Sequence, residues 1–219
     1  MWFNDGMAES RDTEDRSRAG AATPARERLM DATEFLVAER GLAVSAREIA
    51  AHAGQRNNSA VIYHFGNLDG LLAATLQRRM DSLERRRMQL LDEIAPDNEP
   101  TISDLLTIMA EPALTIPYLE GATHYARFVE QIRHHPVISE AESSIENWPG
   151  MTTILRSLNR KIPSHRRLQK RRINMMATAM YALVADYERR GELITPRGRA
   201  AASAELVTVL TAILTAVQA

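Results

Sequence analysis

The chain of 219 residues contains no cysteine. That excludes a disulfide, a thiolate metal site and a cysteine nucleophile, and it fits a cytoplasmic setting. Lysine is scarce too: of 27 basic residues only Lys161 and Lys170 are lysine, and the rest are arginine. Charge of one sign is also missing, since the formal balance is -1, so bulk electrostatics neither demands nor excludes a nucleic-acid partner. No apolar run approaches the roughly eighteen residues of a membrane helix, so no membrane partner is expected. Met1-Trp2-Phe3-Asn4-Asp5-Gly6 has neither the basic nor the apolar region of a secretory signal. Strand alternation, hairpin turns and internal repeats do not occur. What remains is 45% hydrophobic and 25% charged, ordinary proportions for a globular protein.

The patterns that are present read as helices. Residues 1–22 mix Asp, Glu, Arg, Ser and Gly without apolar periodicity, which predicts a flexible N-terminal arm. Thr23 as cap and Pro24 at the first helical position then open a helix whose Leu29, Thr33, Leu36 and Val37 recur at helical spacing until Gly41. Ser45-Ala46-Arg47-Glu48 fits a capping box, in which the Ser oxygen accepts a backbone amide and the Glu three residues on reaches back. Ile49, Ala50 and Ala53 share the inner face of this short helix, and Gly54 closes it at a position suited to positive φ. Gln55-Arg56-Asn57-Asn58 is turn chemistry that supplies an Asn cap for a third helix from Ser59 to His64. Two short helices around a Gly turn make a helix-turn-helix candidate.

Asn67, after Phe65-Gly66, caps a fourth helix that carries Leu71, Leu72, Leu76, Met80, Leu83, Leu90 and Leu91 to about Ala95, where Pro96 to Pro100 break it. Further helical patterns follow in Ile102, Leu105, Leu106 and Met109, in Tyr118, Ala122, Tyr125, Val129 and Ile132, and in Met151, Ile154, Leu155 and Leu158. The last two helices are the most apolar, one from Ile173 to Arg190 and one from Leu206 to Val217. Their stripes suit a monomer core and a four-helix seam with a second copy equally well.

Residues Thr23 to Leu72 closely resemble the DNA-binding domain of the tetracycline-repressor (TetR) family of bacterial regulators. The resemblance rests on Arg28-Leu29-Met30-Asp31-Ala32 and Phe35, on Gly41 to Ala50, on Ala53-Gly54 at the turn, and on Tyr63-His64-Phe65-Gly66-Asn67. It departs from the common pattern in a turn one residue longer, at Ile62, and at Leu68, where many members carry Lys. The resemblance implies an all-α fold: an N-terminal three-helix helix-turn-helix DNA-binding domain over 23–70 and a C-terminal helical ligand-binding and dimerisation domain over 71–219. It also implies a sequence-specific transcriptional regulator, a ligand-responsive repressor that acts as a homodimer on a palindromic double-stranded DNA operator and answers to a small-molecule effector.

On that reading the DNA-binding residues are Ser45, Arg47, Arg56, Asn57, Asn58, Ser59, Tyr63 and His64. Amide and hydroxyl groups on the third helix offer hydrogen bonds to base edges and phosphates, and Arg47 on the preceding helix can fork onto guanine. Taken alone, a capping box, a Gly turn and a short polar helix also describe helical hairpins that never touch DNA. Between residues 23 and 70 the five Arg face six acids, so phosphate contact leans on helix N-termini at Ser45 and Asn67 and on Tyr63 and His64.

Soft side chains recur in the central helices, and Met109, Tyr125, Phe128, Trp148, Met151 and Met176 are the candidate ligand-binding residues. Individually each reads first as a core residue, and it is the resemblance that implies a pocket between these helices. His124, His134 and His135 lack metal-ligand spacing, so no metal and no cofactor is assigned. From Met88 to Glu146 there are eleven acids and two Arg, whereas Asn147 to Ala185 hold eight Lys or Arg and no acid. Two readings stand: mutual neutralisation, or an anion site in the basic Lys161 to Arg172 segment. An all-helical small-molecule carrier or enzyme is the other functional class, although no nucleophile and base motif, phosphate loop or metal cluster supports catalysis.

Overall fold

The computed structural model describes residues 24–55, 59–95, 99–119, 121, 124–143, 147–162 and 166–216. The N-terminal arm therefore lies outside the described residues, as do Thr23, Arg56, Asn57, Asn58 and the break at Pro96. Ten α-helices and no strand occur among the described residues: α1 Ala25–Arg40, α2 Ala46–His52, α3 Ser59–Phe65, α4 Leu68–Asp92, α5 Ile102–Leu119, α6 Tyr125–Ile132, α7 Pro136–Ser143, α8 Pro149–Lys161, α9 Arg166–Arg189 and α10 Pro196–Thr215. Short 3-10 turns at Gly41–Ala43 and Glu192–Ile194 follow α1 and α9. The fold is all-α, with a helix-turn-helix unit at the N-terminal end of a larger helical body.

Local chemistry sets the ends of the first elements. The Ser45 hydroxyl accepts the Glu48 amide, and a Glu48 carboxylate oxygen accepts the Ser45 amide at 2.9 Å, so the capping box at α2 is complete. Asn67 Oδ1 accepts the Gly70 amide at 2.8 Å and starts α4. Gly54 and Gly66 take φ of 71° and 79°, left-handed values that a side chain disfavours, and these reverse the chain after α2 and α3.

Other ends differ from expectation. Pro24, with ψ of 145°, stands one residue before α1 rather than inside it, because that extended ψ cannot carry a helical turn. Helix α4 stops at Asp92, three residues early. Tyr118 belongs to α5, which runs unbroken through Pro112 and Pro117, and the next helix starts only at Tyr125. The separate helix α7 carried no sequence signal. Helix α10 also departs from the reading that no run is long and apolar enough to span a membrane. An eighteen-residue window in it reaches a mean hydropathy of 1.2, and the helix is packed against α5 and α9.

Two apolar cores share α1 and α4. Leu29, Met30, Leu36, Val44, Ile49, Val61 and Leu71 form the small core of the helix-turn-helix unit. Val37 and Ala38 of α1, with Leu72, Leu76 and Leu83 of α4, turn to the larger core built with α5, α6 and α8 to α10. Helix α4 is thus a shared wall, and its polar residues bolt it to both sides. Arg79 Nε donates to Glu34 of α1 at 2.7 Å, with both side chains buried, and Arg78 reaches Glu27 at 2.9 Å and Asp31 at 2.8 Å. Farther along, Arg86 contacts Glu111 of α5 at 3.2 Å.

Two buried glutamates cap helices distant in sequence. Glu84 of α4 accepts the Gly150 and Met151 amides at the start of α8. Glu188 of α9 accepts the Ala126 and Arg127 amides, each at 3.0 Å, at the start of α6. The residues that precede these two helices, Trp148 and His124, provide no side-chain cap. The first amides of a helix have no partner within it, and here the tertiary fold supplies the acceptors. A Cβ on Gly150 would lie 2.9 Å from Glu84 Oε1, so a side chain there would have to displace the capping carboxylate.

Candidate nucleic-acid interface and effector chamber

Helix α3 is anchored by Val61, with Ala60 and Phe65 packed beside it against the small core. Val61 is buried in the small core, while Ser59, Ile62 and Tyr63 face outward. Ile62 is 63% and Tyr63 85% exposed, and Tyr63 exceeds every other exposed large apolar residue described. Ile62 and Tyr63 thus leave apolar surface on the outer face of this seven-residue helix. His64 is half-buried, its ring edge-on to Tyr63 at 4.9 Å and tilted against Phe65, whose ring carries the Arg26 guanidinium at 5.2 Å.

On the preceding helix Arg47 is exposed. Ser45 beside it is also exposed, but its hydroxyl is engaged twice by Glu48. The Ser45 amide and hydroxyl, with the Arg40 guanidinium at 2.5 Å, hold the Glu48 carboxyl down to about 2. Ser45, Arg47, Ser59, Tyr63 and His64 are thus placed at the helix-turn-helix end of the molecule. Arg56, Asn57 and Asn58 lie outside the described residues.

The six candidate ligand residues are all buried in the larger core. Trp148 alone among them lines a chamber of about 340 Å³. Its other walls come from Leu76 and Met80 of α4, Val129 of α6, Ile138 of α7 and Tyr181 of α9. Met109, Tyr125, Phe128, Met151 and Met176 support these walls from behind or fill the core elsewhere. The residues that sequence reasoning missed, Leu76, Met80 and Tyr181 among them, carry the same apolar periodicity as any core position. Only the fold separates a wall from a filling.

The histidines are engaged locally. Val137 donates its amide to His135 Nδ1, His134 Nε2 accepts from Arg133 Nε at 3.0 Å, and His124 packs edge-on to Phe35. Of the basic segment, Lys161 pairs with Glu99 at 2.7 Å, and Arg172 donates to the Leu214 and Ala216 carbonyls at the end of α10. Arg166, Arg167, Lys170 and Arg171 have no acidic partner among the described residues and rim an open groove of about 1210 Å³ whose floor includes Met175 and Ile213.

A polar chain links α9 to the helix-turn-helix unit. Glu188 lies 3.8 Å from Arg127 Nε, and Arg127 Nη1 donates to Glu39 of α1 at 2.6 Å. Burial pushes the Glu188 carboxyl up to about 7, against the two amides and Arg127, which lower it. The folded chain therefore holds a proton that the unfolded chain releases near pH 4.3, and stability falls as pH rises through this window. Denaturant midpoints at pH 5, 6 and 7 should show Glu188→Gln losing this dependence. Wild type should give up about 2 kcal/mol more than the variant across the interval. Parallel slopes for the two proteins would show that Glu188 is ionised throughout.

No protein-family model and no curated protein matches the chain. Among solved structures it is similar to a protein from Rhodococcus sp. described as a TetR-family transcriptional regulator, with a TM-score of 0.56 and 16% identity over 87% of this chain and 99% of that one. At that identity the likeness concerns architecture, and it extends beyond the helix-turn-helix unit to nearly the whole helical body: the chain has the fold of a TetR-family regulator.

Proposed function

We propose that the protein is a sequence-specific DNA-binding transcriptional regulator, a ligand-responsive repressor that acts inside the cell as a homodimer on a palindromic operator. The observation that carries this reading is the outward face of α3, where Ser59, Ile62 and Tyr63 stand clear of the core at the end of a helix-turn-helix unit. In this reading α3 enters the major groove, Arg47 reaches a base edge from α2, and the N-terminus of α4 at Asn67 meets a phosphate. Ser45, Arg56, Asn57, Asn58 and His64 complete the contact.

The chamber supports the responsive half of the reading. Leu76 and Met80 form part of its wall, while Arg78 and Arg79 on the same stretch of α4 grip α1. A molecule that fills the chamber displaces the helix that orients the DNA-binding unit. Paired recognition helices must sit about one turn of DNA apart, roughly 34 to 36 Å, and a change in that separation releases the operator. For the dimer, the exposed Met175 of α9 and Val209 of α10 offer an apolar face to a second copy.

Selection from random duplex DNA should return a palindromic site. Arg47→Ala should lose about 1–3 kcal/mol of specific binding and relax the preference at one position of each half-site. Failure to enrich any duplex sequence would remove the regulator reading, and an Arg47→Ala protein with unchanged preference would remove Arg47 from the interface.

A further inference from the structure

Two cavities meet along one side of α9. The chamber and the open basic groove are both lined by Asn174, Thr178 and Ala182, which stand on successive turns of the helix and so share one side of it. Asn174 and Thr178 are exposed. All three side chains are small and uncharged, so at these positions nothing bulky or charged stands between the two spaces. Lys170 lies one turn before Asn174, about 6 Å along the axis. Arg166, Arg167 and Arg171 line the groove with it.

The two spaces differ in chemistry. Leu76, Met80, Val129 and Ile138 give the chamber apolar walls, and the charged groups on its α6 side are engaged, Glu130 with Arg189 and Arg133 with His134. The four cations of the groove are all exposed and have no acidic partner among the described residues. Like charges crowded into two turns of one helix repel one another, and an anion with several oxygens relieves them together. Arginine suits phosphate in particular, because its planar fork of N–H donors meets two oxygens at once. An apolar space beside a cluster of phosphate-binding cations matches a molecule with a hydrocarbon tail and a phosphate head.

Resting on the effector reading, we propose that the protein binds a phosphate monoester of a single hydrocarbon chain, with the tail in the chamber and the head past Asn174 and Thr178 among Arg167, Lys170 and Arg171. A chamber of about 340 Å³ takes one tail of medium length. The head lies in an open groove, so its contribution falls as salt screens the exposed cations.

Calorimetry with decyl phosphate and decanol, which share one tail, below the concentrations at which they form micelles, tests the assignment. At pH 7 wild type should bind decyl phosphate at least about tenfold tighter than decanol. Raising sodium chloride from about 50 to about 300 mM should erode that preference. Lys170→Gln with Arg171→Gln, both at exposed positions, should bind the two compounds alike. Ala141→Phe, which intrudes on the chamber alone, should weaken both, and should it not fold, the smaller Ala141→Val carries the same test. Equal affinities in wild type, no binding of either compound, a preference that survives in the double variant, or decyl phosphate binding untouched by the chamber variant overturns the proposal. A double variant that changes only self-association in sedimentation assigns the groove to a second copy and overturns it as well. Operator binding measured alongside separates the two readings: decyl phosphate that binds with the stated preference and leaves operator affinity unchanged defeats induction and keeps the site. Release by both compounds alike does the reverse.

Discussion

Arg79→Met should lower folding stability by about 3–5 kcal/mol, the cost of leaving a buried carboxylate without its cation. Glu34 and Arg79 are both buried and meet at 2.7 Å, joining α1 to α4. Burial already pushes the Glu34 carboxyl up, and Arg79 is the main group opposing that shift. Arg78 Nη2 lies 3.7 Å from Glu34, beyond hydrogen-bond distance, while Nη1 of the same guanidinium is held by Glu27 and Asp31, so it is a weak substitute.

The deficit carries a pH signature. A carboxyl whose folded value is raised binds a proton in the folded state, so the variant loses least near pH 4 and most near pH 7. Glu34→Leu in the same chain removes the uncompensated charge and should recover most of the loss, because an apolar pair can replace a buried ion pair at little cost. Chemical denaturation of the single and double variants at both pH values reads these effects. A single variant within about 1 kcal/mol of wild type at pH 7 would mean that water reaches Glu34. Because this pair ties the helix-turn-helix unit to the helix that walls the chamber, the double variant should stay folded yet respond less to a chamber ligand.

The contrast between these buried pairs and the caps explains what was legible in the sequence. Ser45 with Glu48 and Asn67 with Gly70 interact across three residues, and local pattern announces such contacts in advance. The outward face of α3 was legible for the same reason, since Val61 is the apolar partner of Leu29 and Ile49 while Ser59 and Tyr63 flank it. Glu34 with Arg79 lies 45 residues apart, and Glu188 with Ala126 lies 62 apart. Nothing in the local sequence distinguishes these acids from surface ones. The aromatic and Met residues of the central helices showed the opposite limit. Residue type placed Tyr125, Phe128 and Met176 in the interior, but whether an interior side chain faces a neighbour or a void depends on how the helices cross. Pro112 and Pro117 lack the amide that bonds four residues back, yet α5 runs through both, with Pro112 buried among its neighbours.

Charging Met175 and Val209 together, as Met175→Glu and Val209→Glu, should give a folded monomer that loses about 10²- to 10⁴-fold in affinity for a palindromic operator. Both side chains are exposed in the monomer, so the fold should tolerate the change to within a few tenths of a kcal/mol each. Ile213 is a poorer choice, because it is half-buried and packs against the larger core. At a symmetric seam each substitution appears twice, and four carboxylates would meet where an apolar contact had been. Two linked recognition helices bind the second half-site at a high effective concentration, which a monomer forfeits entirely. The residual binding of the monomer should be steeply salt-dependent and weakly selective, because phosphate contacts then dominate. Sedimentation and fluorescence anisotropy on full and half operators measure both parts. A dimer that persists in this variant would place the seam elsewhere on the surface, and a monomer that keeps full palindrome affinity would show that the two copies assemble on DNA rather than before it.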